Sequence, residues 1–142
     1  MKAVVYREYA PDDNYKRILK VEDISDPKPK SNEVVFKVKA AALNYNDIWG
    51  MRGVPVAVPL PHVSGSDAAG DVIAVGEDVV DIKVGDRVVS HSNMSCRVCK
   101  ACTDGREFDC TKRTIWGFQT GPTWGAYQEI THLPEEIGRA HV

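Results

Sequence analysis

Apolar and polar residues alternate along most of this chain, and the pattern predicts strands more often than helices. From Glu33 to Ala42, Val34, Phe36, Val38 and Ala40 fall on one face while Lys37 and Lys39 fall on the other. That period of two marks a half-buried strand. Val4 and Tyr6 open an earlier strand, and Lys16 to Ile24 offers a second. The intervening Asp26-Pro27-Lys28-Pro29-Lys30-Ser31-Asn32 reads as a loop, because neither proline can donate to a ladder. Asp71 to Val75 and Gly125 to Thr131 are further strands, and Val84 to Val89 is a turn feeding another. Asn44 to Gly50 breaks the pattern as a short helix that Gly50 or Gly53 stops, and Pro55, Pro59 and Pro61 make the next stretch irregular. Many short strands punctuated by Gly and Pro predict a mainly β fold, a barrel or sandwich rather than a parallel sheet with crossover helices.

Composition narrows the function without naming it. At 142 residues the chain can bury one real core. Its 18 Lys+Arg against 20 Asp+Glu give a net charge of −2, with no basic stripe of the kind nucleic acid requires. Met1-Lys2-Ala3-Val4-Val5-Tyr6 runs directly into strand-like sequence, with neither a secretory signal nor a membrane-spanning run. A reducing, cytoplasmic setting is the expectation that follows.

That expectation bears on the four cysteines, which all lie in one short loop. Cys96, Cys99, Cys102 and Cys110 read C-x2-C-x2-C-x7-C. In a reducing compartment clustered cysteines more often bind metal than pair as disulfides. An iron–sulfur run of the bacterial ferredoxin type has three residues and then Cys-Pro, whereas seven residues precede Cys110 and Thr111 follows it. Zinc with four thiolates is therefore expected, in a closed structural site that leaves no position for substrate. His62 and His91 are read as structural, since four cysteines complete the site. Trp49, Trp116, Phe118 and Trp124 are read first as core or pocket wall.

Gly85-Asp86-Arg87-Val88, followed by the four cysteines and Gly105, resembles the zinc lobe of medium-chain alcohol dehydrogenases. Pro61 to Gly76, PHVSGSDAAGDVIAVG, is similar to the same superfamily's second hallmark, and the likeness runs from Met1 to about Thr131. The resemblance implies a GroES-like, partly open β-barrel with short helices and a four-cysteine lobe, forming the catalytic domain over residues 1–136 with the lobe at about 90–113. It also implies a following Rossmann domain that binds NAD(P)H. No G-x-G-x-x-G opens a helix within these residues, so the expectation is half of an enzyme, inactive alone. The parent is expected to act on a small molecule as a homo-oligomer, without nucleic acid or membrane.

Departures from the alcohol-oxidising pattern shape the expected chemistry. Those relatives hold a catalytic zinc through a cysteine and a Gly-His-Glu motif. Here the corresponding positions are Asn44 and Gly65-Ser66-Asp67, an amide and a hydroxyl that ligate zinc poorly. No catalytic metal is expected. Leu43 to Trp49 and Ile115 to Thr120 look closest to crotonyl-CoA reductase/carboxylases, and Gln119 replaces the glutamate that helps the carboxylating members hold CO2. Reduction of an activated C=C bond in an enoyl thioester or quinone follows, with Asn44, Asn46, Asp47, Ser66, Asp67, Phe118 and Gln119 as pocket candidates and Tyr45 and Asn46 toward the cofactor. The same residues also serve plainer ends: Asn44 and Asn46 as helix caps, Ser66 and Asp67 as turn residues. Alternatives are a zinc-dependent alcohol dehydrogenase, a stand-alone zinc-binding module and a co-chaperonin-like ring subunit.

The last six residues, 137–142, can be encoded ATC GGA AGA GCA CAC GTC, which is a widely used sequencing adapter read in frame. They are expected to be a non-native tail that joins no barrel strand.

Overall fold

The computed structural model describes residues 1–121 and 124–135, and the backbone of 138–139. Its strands are β1 (Lys2–Val5), β2 (Lys20–Asp23), β3 (Glu33–Ala42), β4 (Asp67–Val75), β5 (Arg87–Val89), β6 (Asn93–Met94), β7 (Thr114–Ile115), β8 (Ile130–Pro134) and β9 (Gly138–Arg139). Between them lie α1 (Tyr15–Ile18), α2 (Tyr45–Arg52), α3 (Lys100–Thr103) and a 3-10 turn at Glu107–Asp109. No helix among the described residues is long and apolar enough to cross a membrane.

β3 is the spine of a five-stranded antiparallel sheet ordered β8-β3-β4-β5-β9. Its predicted bounds hold, yet strict alternation does not. Val34, Val35 and Phe36 are all buried, whereas Lys39 to Ala42 are exposed on both faces. The first half lies between β4 and β8, with Val34 opposite Val75 and Leu133. Bulges at Val35/Phe36 and Val38/Ala40 reset the register and twist the strand.

β1 and β2 form a separate antiparallel pair, Lys2 opposite Asp23. Residues 125–129 stitch that pair to the main sheet. The Val4 N–H reaches Tyr127 O at 2.8 Å, Glu129 N–H reaches Lys2 O at 3.0 Å, and Val38 N–H reaches Glu129 O at 2.9 Å. Among the described residues the strands curl without closing, as a partly open barrel.

Three expectations need correction. The chain from Lys16 is not yet a strand: one helical turn, Tyr15–Ile18, precedes β2. The turn lets Ile18, only 4% exposed, join Tyr6, Ala10, Met51, Val58 and Phe118 in one apolar cluster. The last predicted strand begins too early. Gly125 is pressed against the carbonyls of Val63 and Ser64, and regular pairing with β3 starts only at Ile130. Third, Gly138–Arg139 do join the sheet, opposite Val89 and Val88 of β5. Glu136, Ile137, Ala140, His141 and Val142 lie outside the described residues.

The main core gathers Val34, Phe36, Val72, Val88, Trp116 and Leu133 across the sheet. Burying side chains of this size contributes about 1.5–3 kcal/mol each. The second cluster seats α2, whose end is set by Gly53 in the left-handed region at φ 74°. A Cβ there would fall 2.8 Å from the Tyr9 ring, so glycine is required on both counts.

Candidate functional site

Asn44 has extended backbone and serves as the N-cap of α2, and Asp47 is its third helical residue. The Asn44 N–H donates to Asp47 Oδ2 at 2.8 Å, which satisfies a group that a helix start leaves open. The Asn44 side chain completes this capping box toward the Asp47 N–H, while its amide nitrogen is turned to the entrance of β4.

Three rungs join that helix start to the chain entering β4. Asn44 Nδ2 donates to Asp67 Oδ2 at 2.6 Å, Asn46 Nδ2 to Ser66 Oγ at 2.8 Å, and the Gly65 N–H to Asp47 Oδ1 at 3.1 Å. Tyr127 adds a fourth tie, its hydroxyl donating to Asp47 Oδ2 at 2.7 Å. Asp47 is buried, and its carboxylate binds three donors from three parts of the chain. Burial first, then the hydrogen bond and charge of Asp47, pushes the Tyr127 phenol well above its ordinary range. Tyr127 therefore stays a protonated donor.

Gly65 and Gly117 explain how the seam is backed. Gly117 has φ 71°, and a Cβ on it would fall 2.0 Å from the Gly65 carbonyl. That contact leaves room only for hydrogen, and it presses the turn at 117 behind the seam. His62 fixes the same turn, with Nε2 3.1 Å from Gly117 O and its ring against Tyr6. Burial lowers the His62 pKa, so it is a neutral, structural histidine.

A cavity of about 430 Å³ opens beside the helix start, mostly apolar, with Tyr6, Leu43, Ile48 and Met51 among its walls. Asn44, Tyr45 and Asp47 line it too. Asn46, Ser66 and Asp67 belong to the seam and are not among its walls. Phe118 does not reach it: the ring is core, packed with Tyr6 and Met51. Gln119 is exposed, and its Oε1 accepts the Ile115 N–H at 2.9 Å, tying off its own turn. Trp116 is core, with Nε1–H donating to His132 O at 3.2 Å, whereas Trp49 is partly exposed and edge-on to Tyr45. Tyr127 and Ser64 were missed in the sequence: Tyr127 sits in no motif, and Ser64 lies within the Pro61–Gly76 stretch without any feature that singles it out. Only the fold carries Tyr127 to Asp47, 80 residues away.

The cysteines form a second centre. β6 and β7 pair Asn93 with Ile115 and close the base of a lobe. Cys99 precedes α3, Cys102 lies within it, and Cys110 follows the 3-10 turn. All four sulfurs lie within 4.8 Å of one another. The Cys96–Cys102 and Cys99–Cys102 separations are 4.0 and 3.4 Å, bracketing the edge of about 3.8 Å that a tetrahedron of ~2.3 Å zinc–sulfur bonds demands. N–H groups of Val98 and Cys99 bring the Cys96 thiol down to about 6, while burial pushes Cys102 up to about 11. Four sulfurs at these separations fit the donor set of one tetrahedral ion, which would hold all four as thiolates. His91 lines a small crevice beside the lobe and is not in the cluster.

With both centres described, comparison with known proteins places the fold. Residues 30–139 match the alcohol dehydrogenase GroES-like domain, and the chain belongs to that family. It is 37% identical over 121 residues to a crotonyl-CoA carboxylase/reductase of Cereibacter sphaeroides, covering 81% of this chain and 27% of that one. It is 36% identical over 113 residues to an acryloyl-coenzyme A reductase of Metallosphaera sedula, covering 80% and 32%. Among solved structures, an NAD-dependent alcohol dehydrogenase superposes with a TM-score of 0.85 at 38% identity, over 98% of this chain and 39% of its own. The chain thus spans about a third of the length of these relatives.

Proposed function

We propose that this chain is the N-terminal catalytic-domain portion of an NAD(P)H-dependent oxidoreductase that reduces an activated C=C bond, in an enoyl thioester or a quinone, without a catalytic metal. The observation that carries this is the 2.6 Å bond from Asn44 Nδ2 to Asp67 Oδ2. A catalytic zinc needs lone pairs converging on an open position. Here the Asn44 amide donates to the Asp67 carboxylate, while Ser66 Oγ accepts from Asn46. The pair satisfies itself without an ion.

NAD(P)H, when bound, supplies hydride. This chain's part is to orient substrate and stabilise the oxygen on which negative charge develops. Asn44 is best placed of the candidates, because it lines the cavity and its amide keeps one hydrogen free after serving Asp67. A fixed donor of this kind contributes on the order of 100-fold to turnover. Asp47 holds the geometry, with every donor around it already engaged. The two acyl-CoA-reducing relatives support the substrate class. The four cysteines hold one zinc that fastens the lobe, and the complete protein works as a cytoplasmic homo-oligomer on a small molecule.

The test is to assay the complete protein on enoyl-CoA thioesters, quinones and primary alcohols before and after chelation. Chelator-insensitive reduction of a C=C bond, reduced about 100-fold in Asn44→Ala, is expected. Robust alcohol oxidation that chelation abolishes, with two zincs per chain, would establish the second reading, a zinc-dependent alcohol dehydrogenase, which the similarity to the NAD-dependent alcohol dehydrogenase favours.

A further inference from the structure

Away from both centres, four side chains close a ring at the start of β3. His132 Nδ1 lies 3.1 Å from Glu33 Oε2, with both residues buried. Glu33 also accepts the Lys30 N–H at 3.1 Å, and Lys30 Nζ is 3.4 Å from its other oxygen. That ammonium sits 4.7 Å from the centre of the Trp124 ring, and Trp124 in turn meets the His132 ring at 4.8 Å and 67°. Lys30 is the exposed partner, its side chain 65% accessible against 4% for Glu33.

We propose that this ring is a proton-operated latch, in which proton uptake at His132 and seating of Lys30 on Trp124 exclude one another. Neutral His132 donates one hydrogen bond to Glu33, and the single carboxylate balances the single ammonium. A second proton on the imidazole places two cations against one buried carboxylate, both beside one indole. The exposed cation leaves, since water receives it at least cost. Burial already lowers the His132 pKa, Glu33 opposes that, and Lys30 adds to it.

Other charges face this group less directly. His132 borders a polar recess shared with Met1, Asp26 and Lys28. There the Met1 amino group is paired with Asp26 at 3.1 Å, and Asp26 is 64% exposed, so solvent screens the pair. Lys30 belongs to the loop whose Ser31 carbonyl accepts the Asp78 N–H at 2.8 Å, and a Cβ on Gly76 would fall 2.0 Å from Lys30 O. Release of Lys30 therefore frees one side of a segment still anchored to the turn at 76–78.

Histidine and lysine resonances of the full chain, followed by NMR from neutral to acid pH, test the latch. His132 is assigned with His132→Gln. The Lys30 methylenes start with the upfield shifts of a chain lying on an indole face, and lose them as His132 titrates. The His132 midpoint rises in Lys30→Gln, falls in Glu33→Gln, and stays near wild type in Lys30→Arg, which keeps the charge. A midpoint unchanged in Lys30→Gln, or Lys30 shifts that stay constant through the His132 titration, overturns the proposal.

Discussion

The cysteine lobe and the seam between α2 and β4 are both held by polar groups, but by opposite means. The lobe draws its ligands from one stretch of chain, Cys96 to Cys110, and buries little around them. Val98 and Phe108 are 79% and 75% exposed. Its ion pairs, Lys100–Asp104 and Arg106–Asp109, lie on the surface, where such pairs contribute roughly 0–1 kcal/mol. The seam joins residues about 20 apart through three rungs and one residue 80 apart through Tyr127. On the proposed reading, one region is held by a cation and the other by hydrogen bonds alone.

The largest expected effect falls on the lobe. Structural zinc binding carries on the order of 10 kcal/mol of folding free energy in small zinc domains. Cys102→Ser should therefore release the ion and abolish amide-exchange protection from residues 96 to 110, while β3 and β4 keep theirs. If protection in the lobe survives, the contrast between the regions fails.

Next comes Asp47→Ala, which strands the N–H groups of Asn44 and Gly65 and leaves the Tyr127 hydroxyl only the Ala42 carbonyl at 3.0 Å. Buried unsatisfied donors cost about 1–3 kcal/mol each, and water reaching the cavity side lowers the sum to about 3 kcal/mol. Asp47→Asn retains one acceptor and should lose about half as much in urea unfolding. A loss confined to the lobe would contradict the seam's role.

A smaller and shared effect follows from pH. Burial lowers the pKa of both His62 and His132 in the folded chain. The unfolded chain takes up protons below the ordinary histidine value of about 6.5 that the folded chain does not. Stability is therefore full above that value and falls as pH drops through it. Glu33, held below its ordinary value, adds a further loss at lower pH. The unfolding midpoint should decline from pH 7 to 5, and less steeply in His132→Gln. A midpoint that rises over this range would show the histidines to be charged in the fold.

How much of this was legible depended on distance along the chain. Four ligands in one loop reveal themselves by spacing, because local geometry alone brings their sulfurs together. The bounds of β3 were legible for the same reason, although its burial follows its neighbours β4 and β8 rather than the period in the sequence. Asn44, Ser66 and Asp67 could be picked out by position in a motif, but their pairing rested on how α2 docks against β4. Phe118 looked like pocket wall, and the apolar cluster under α2 claimed it. Ile18 had strand-like neighbours, and burial in that same cluster imposed a helical turn. Tyr127 left no signal at all, because its partner depends on the whole sheet.

The central claim is that this chain keeps one metal in the lobe and none at the seam. Metal content of the purified protein, measured for wild type, Cys102→Ser and Asp67→Ala, tests it most directly. The account predicts one zinc per chain in wild type and in Asp67→Ala, and none in Cys102→Ser. Two zincs in wild type, with one lost from Asp67→Ala, would contradict it.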